Sequence, residues 1–152
     1  MTRINLVPPE ELMDQHLFAE FREIKMVPKS LRRSLVAAHA RGESLYKFWQ
    51  RIPKAYTLNT GHVSFFYDKG AYLRKRYDLL KDELERRGIN FNRDSPLDPD
   101  GVFHSLDHNF NNDYDPTPEA LAIVRQRIAE KIAMKPAWYR YEGKPNESIQ
   151  TA

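Results

Sequence analysis

With 152 residues, 41% apolar and 30% charged, the chain can bury one compact core and is too short to argue for two; having no cysteine, it excludes disulfides, thiolate zinc sites and a cysteine nucleophile. The net charge of +3 is unevenly spread: residues 1–93 carry 18 Lys and Arg against 11 Asp and Glu, whereas residues 94–119 hold 7 acids and no Lys or Arg. A basic body favours a polyanionic partner, nucleic acid or an anionic membrane surface, although an ordinary solvated surface would read the same way.

The segment from Met1 to Leu6 lacks the apolar run of a secretion signal, and nowhere do 18 uncharged apolar residues occur together, so a soluble intracellular protein is expected. Pro8 and Pro9 followed by Glu10 and Glu11 read as a helix start. That helix is expected to reach about Met26 and stop before Pro28. Met13, Leu17, Phe21 and Ile24 form its core stripe, His16 and Glu23 flank the stripe, and Gln15 and Arg22 lie on the solvent side. A second helix is expected over residues 29–40, with Leu31, Leu35 and Ala38 inward and Lys29, Arg32 and Arg33 outward. Leu45, Phe48 and Trp49 form a short apolar cluster.

The longest periodic segment runs from His62 to Arg87. Its stripe is Val63, Phe66, Tyr67, Gly70, Leu73, Tyr77, Leu80 and Leu84, ended by Gly88, with Lys69, Arg74, Lys75, Arg76 and Lys81 on the opposite face. Residues 89–115 show no sustained period and read as a long irregular connection, with a short helical turn around Val102 to Leu106. Thr117 and Glu119 open a last helix that packs Leu121, Val124, Ile128 and Ile132 and ends before Pro136. The tail Trp138-Tyr139-Arg140-Tyr141 follows, and no β alternation competes. The expected fold is all-α: a compact single-domain helical bundle with long irregular loops and an aromatic C-terminal tail, residues 143–152 being flexible.

Several groups could carry chemistry. The tail mixes aromatics with a cation, which suits unstacked bases, or it pins the C-terminus to the core. Arg127, Lys131 and Lys135 repeat every four residues, a line that could track phosphates or simply face water. His104 and His108 have metal-ligand spacing but lie in a loop-like segment without a further ligand set. His62, beside Gly61, reads as a cap or buried hydrogen-bonding group. Thr2 has a small side chain that lets an aminopeptidase remove Met1, exposing an α-amine. Such an amine has a reference pKa of about 7.7–8.0 against about 10.4 for lysine, so more of it is nucleophilic at neutral pH. Arg3 and Arg22 nearby would lower it further.

Four stretches, in order, resemble the bacteriophage-type pyrimidine-dimer DNA glycosylase, historically called phage endonuclease V. They are Thr2-Arg3-Ile4-Asn5-Leu6; Asp14-Gln15-His16-Leu17 with Ala19-Glu20-Phe21-Arg22-Glu23; Gly61-His62-Val63-Ser64-Phe65-Phe66-Tyr67-Asp68-Lys69; and Glu130-Lys131-Ile132-Ala133 followed by Pro136-Ala137-Trp138-Tyr139-Arg140-Tyr141. The resemblance implies a cofactor-free, monomeric enzyme acting on damaged double-stranded DNA. Thr2 would supply the amine that attacks C1′ of the 5′ sugar of the dimer, giving a Schiff base and then β-elimination, with Glu23 as the essential carboxylate. Arg3, Arg22, Arg127 and Lys131 would hold phosphates, Gln15 and His16 would line the site, and Trp138, Tyr139 and Tyr141 would approach the damaged bases. Besides extra sequence after Gly143, three departures stand out. The base that the family carries just after the glutamate is displaced to Lys25, with Met26 next; Phe21 replaces a tyrosine; and residues 89–115 are longer and more acidic. The alternative reading is a nucleic-acid-binding protein without chemistry.

Overall fold

The structure is a computed structural model in which residues 3–145 are described. Five α-helices dominate: α1 (Asp14–Glu23), α2 (Met26–Ala40), α3 (Leu45–Gln50), α4 (Gly70–Arg86) and α5 (Pro118–Met134). The protein is mostly helical, as the periodicity predicts. One small addition is a two-stranded antiparallel ribbon, β1 (Arg140–Tyr141) with β2 (Lys144–Pro145). Its turn is Glu142-Gly143, both at positive φ (53° and 79°), the geometry that suits a two-residue hairpin. Two-residue strands are too short to show alternation, so the sequence carries no warning of them.

The expected first helix is two pieces. Pro9–Glu11 makes a single 3-10 turn, and extended backbone at Leu12 and Met13 separates it from α1. The break leaves Leu12 fully buried, along with Leu17 and Ile24, whereas Met13 is only half-buried. The α1–α2 boundary also shifts. Helix α2 starts at Met26 and takes Pro28 into its first turn, where a proline is tolerated because the amide it lacks would have no intrahelical partner.

The expected helix over residues 62–87 breaks at Lys69 into a 3-10 turn, Ser64–Asp68, and α4. The cause is the chain that crosses there. Lys69 bridges to Asn111, the Asn112 amide donates to the Asp68 carbonyl at 3.1 Å, and the Tyr72 amide donates to the Asn112 carbonyl at 3.2 Å. Gly70 makes the crossing possible, because a Cβ there would lie 2.8 Å from Phe103 Cδ1 and closer still to Asn111 Oδ1.

Residues 89–115 form no α-helix and yet belong to the core, burying Leu97, Val102, Phe103 and Phe110. The expected turn is present: both carboxylate oxygens of Asp98 accept 2.9 Å bonds, from the Val102 and Phe103 amides. Helix α5 is capped as its sequence predicts, with Thr117 Oγ1 accepting from the Ala120 amide at 3.1 Å. Its stripe is shallower than expected: Ala120 and Val124 are buried, while Leu121, Ile128 and Ile132 are half-buried. Helix α1 packs on α4, and α2 packs on α3 and on the Ser64–Asp68 turn.

Candidate active site

The segment from Arg3 to Val7 has no regular secondary structure, and side chains take the place of a pairing strand. The Arg3 amide donates to Glu23 Oε2 at 3.2 Å. The Ile4 amide donates to His62 Nε2 at 2.9 Å, and Tyr56 donates its hydroxyl to the Ile4 carbonyl at 2.9 Å. Asn5 donates from its amide and from Nδ2 to Glu20 Oε1, at 3.1 and 2.9 Å. The Val7 carbonyl accepts from Arg76 at 2.6 Å. Buried backbone groups need such partners, since an unmade bond costs about 1–3 kcal/mol.

Arg76 is a correction. Its basic neighbours Arg74 and Lys75 suggest the solvent face of α4, but it is 3% exposed and makes two bonds to the Glu20 carboxylate, at 2.7 and 3.0 Å. Burial disfavours the charged guanidinium, and the adjoining Glu20 carboxylate outweighs that, holding Arg76 above its ordinary value.

Beside this segment α1 presents His16, Ala19, Glu20 and Glu23, spaced so as to share one helical face. Helix α5 faces them with Arg127 and Lys131, and the tail adds Tyr139. These residues, with Arg3 and Asn5, line a cavity of about 180 Å³. His16 lies with its ring centroid 4.8 Å from that of Tyr139. Burial first, and then the Arg127 charge, push His16 down to about 4, so it is neutral at physiological pH. Burial and Arg127 likewise hold Arg3 below its ordinary value. With Glu20 matched by Arg76, the cavity presents the cations Arg3, Arg127 and Lys131 around the single carboxylate of Glu23.

Other predicted site residues stand apart from the cavity lining. Gln15, expected to face solvent near the site, clasps the tail: its Nε2 donates to the Trp138 carbonyl at 2.6 Å and its Oε1 accepts from the Arg140 amide at 3.0 Å. The solvent side of α1 is where the tail returns. Arg22 is exposed, 6.0 Å from the Phe18 ring centroid. Lys25 lies 4.4 Å over Phe21 and donates to Ser95 Oγ at 2.7 Å. Trp138 is 57% exposed and meets Tyr139 edge-on at 5.0 Å. Tyr141 turns toward the start of α1, donating to the Glu10 carbonyl at 2.7 Å beneath the Arg87 guanidinium. Thr2 lies outside the described residues, as do residues 146–152 of the expected flexible tail.

A family model for the pyrimidine dimer DNA glycosylases matches residues 1–97. The chain belongs to that family. The matched span contains the pinned N-terminal segment, Glu23 and the buried Glu20–Arg76 pair. DNA repair and glycosylase chemistry on DNA come with membership. Arg127, Lys131 and Tyr139 lie beyond the match, and in this glycosylase they line the cavity together with the α1 residues.

Glu20, Tyr56 and Arg76 were missed by sequence reasoning as partners of the N-terminal segment, as was Asn5 within it. A signal existed: Glu20 lies within the Leu17, Phe21, Ile24 stripe, and Arg76 within the Leu73, Tyr77, Leu80 stripe, so two opposite charges interrupt two apolar faces. His62 is the buried hydrogen-bonding group expected, 2% exposed. Among the described residues no group of three or more acids and histidines is gathered as a metal site, His104 and His108 included, and no helix is long and apolar enough to cross a membrane.

Proposed function

We propose that this family member excises the 5′ base of a cyclobutane pyrimidine dimer in duplex DNA and then cleaves the strand, using the Thr2 α-amine as nucleophile after loss of Met1. The observation that carries this reading is the bond from the Arg3 amide to Glu23. A carboxylate is tied to the residue that follows Thr2, and consecutive Cα atoms are about 3.8 Å apart.

The amine nitrogen bonds to C1′ as the C1′–base bond breaks, and the departing base takes up a proton. The ring C1′–O4′ bond then opens to give the imine, with a proton delivered to O4′. Glu23 is suited to carry protons in these steps because it lines the cavity and holds the amide of Arg3, the residue after Thr2. Removal of a C2′ proton expels the 3′ phosphate, and water returns C1′ to an aldehyde and frees the amine. Cations close to the amine favour its neutral form, and Arg3 and Arg127 line the cavity.

Arg3, Arg22, Lys25, Arg127 and Lys131 contact phosphates in this reading. Trp138 and Tyr139 offer aromatic faces to unstacked bases, and the already distorted lesion lowers the cost of flipping the base opposite. The enzyme works as a monomer. Binding without chemistry, the other reading of the basic surface, has no use for Glu23 at the N-terminal segment.

The experiment is borohydride trapping on a duplex carrying one defined thymine dimer, with the crosslinked peptide mapped by mass spectrometry. An adduct on the Thr2 amine, with Met1 absent from the peptide, is expected. The absence of both adduct and strand cleavage would overturn the assignment.

A further inference from the structure

We infer that Tyr56 and His62 are positioning residues of this reaction: they grip the two peptide groups flanking Ile4 and so fix how the preceding residues reach the cavity. The inference deepens the amine mechanism and rests on it.

The Ile4 amide belongs to the Arg3–Ile4 peptide and the Ile4 carbonyl to the Ile4–Asn5 peptide. One is held by His62 Nε2 and the other by the Tyr56 hydroxyl, each at 2.9 Å. Glu20 and Arg76 act further along, at Asn5 and Val7, so beyond the Glu23 bond at Arg3 itself the nearest grip is that of Tyr56 and His62. Neither holder is free to drift. The His62 ring is fixed from its other side, where Nδ1 donates to the Thr57 carbonyl at 2.8 Å. The two rings meet edge-on at 5.3 Å, and both meet Phe66 edge-on, at 6.2 and 5.6 Å.

Nor does the grip change with pH in the working range. Burial, and then the Glu20 charge, raise Tyr56, which stays a donor. Burial pushes His62 down to about 4, which keeps Nε2 an acceptor. Burial of Ile4 requires only that its amide and carbonyl be paired, not that both partners be locked in place themselves. A nucleophile two residues upstream gains from partners so locked, because a misplacement of about 1 Å can cost about a hundredfold in rate.

The step tested is imine formation at a ring-opened abasic site. The amine nitrogen adds to the C1′ carbonyl and water leaves; borohydride then adds hydride to the imine carbon and makes the adduct permanent. Single-turnover trapping with an abasic-site duplex measures this step. Binding to a duplex carrying the unreactive tetrahydrofuran analogue measures everything else. The full chain is compared with Tyr56→Phe, His62→Leu, His62→Gln and Leu84→Ala, a core variant that removes none of the segment's hydrogen bonds.

Tyr56→Phe and His62→Leu are expected to slow trapping by about tenfold or more while analogue binding stays within about threefold. His62→Gln, which keeps an acceptor, recovers most of the rate, and Leu84→Ala traps at the parent rate while folded. Trapping at the parent rate by Tyr56→Phe, or binding lost in step with trapping, overturns the inference. Tyr56→Phe decides the matter if His62→Leu does not fold. A parent chain that forms no adduct on Thr2 is a different failure, that of the amine mechanism itself, and takes this inference with it.

Discussion

Glu20 and Glu23 lie three residues apart on α1 and have opposite surroundings. Glu20 is 1% exposed, paired with Arg76 and bonded to Asn5, whereas Glu23 is half-buried at the cavity. Substitutions at the two positions therefore separate. Glu23→Gln keeps damage-specific binding and loses cleavage by at least about a hundredfold, read by gel shift and strand nicking on the same duplex; comparable cleavage removes Glu23 from its role. Arg76→Met strands a buried carboxylate and costs about 3–5 kcal/mol, read as a lower denaturation midpoint. The histidines set the acid limit. His16 and His62 are held at about 4 in the folded chain, against about 6.5 unfolded. Above pH 6.5 both states are neutral; as pH falls from 6.5 to 4 the unfolded chain takes up protons that the folded chain refuses. Stability drops through that window by on the order of 2 kcal/mol per histidine and levels off below it. Thermal unfolding against pH should show the drop, and His62→Gln should remove part of it. Helical spacing aligned Arg127 with Lys131 and set His16 and Glu23 beside the core stripe of α1, while the family resemblance, not periodicity, named them as site residues. The partners of the N-terminal segment were not, because a hydrogen bond from Tyr56 to Ile4 spans 52 positions and leaves no periodic trace.

The elements show where periodicity stops being informative. It identified the apolar stripes of α1, α2, α4 and α5, and it ran straight through the breaks at Leu12 and Lys69, because a 3-10 turn beside an α-helix continues nearly the same three-four spacing. At Lys69 the deciding contact is with Asn111, a residue from the segment that sequence could describe only as irregular. Gly70→Ala is expected to destabilise by about 1–3 kcal/mol through overpacking against Phe103 and Asn111, checked by urea denaturation; an unchanged midpoint means the crossing can relax. The tail depends on α1 in the same way. Gln15 clasps Trp138 and Arg140, and the Asp14 carboxylate accepts from the Glu142 and Gly143 amides at 2.9 and 2.7 Å. Gln15→Ala should expose the tail, so limited trypsin digestion after Arg140 should run several-fold faster than in the parent.

Across the molecule the uneven charge resolves into two arrangements. The acidic segment folds back onto the basic body: Asp100 pairs with Arg32 at 3.3 Å, Asp113 pairs with Lys75, and Ser95 takes Lys25. Arg3, Arg127 and Lys131 face the cavity instead. Net charge along the chain hinted at a polyanionic partner, but only the fold separates cations matched by this loop from those at the site. If the cavity cations bind phosphates, log affinity for duplex DNA falls linearly with log salt, and Arg127→Gln or Lys131→Gln each reduces the slope by about one; fluorescence titrations at several salt concentrations give the slopes, and unaltered slopes exclude those contacts. The pinning of residues 3–7 has a further consequence during synthesis. Their holders Tyr56, His62 and Arg76 are translated more than 50 residues later, which at about 5–20 residues per second is a delay of roughly 3–15 s. Residues 3–7 therefore stay unpinned for that interval, so the candidate site is completed only after roughly half of the chain has been made.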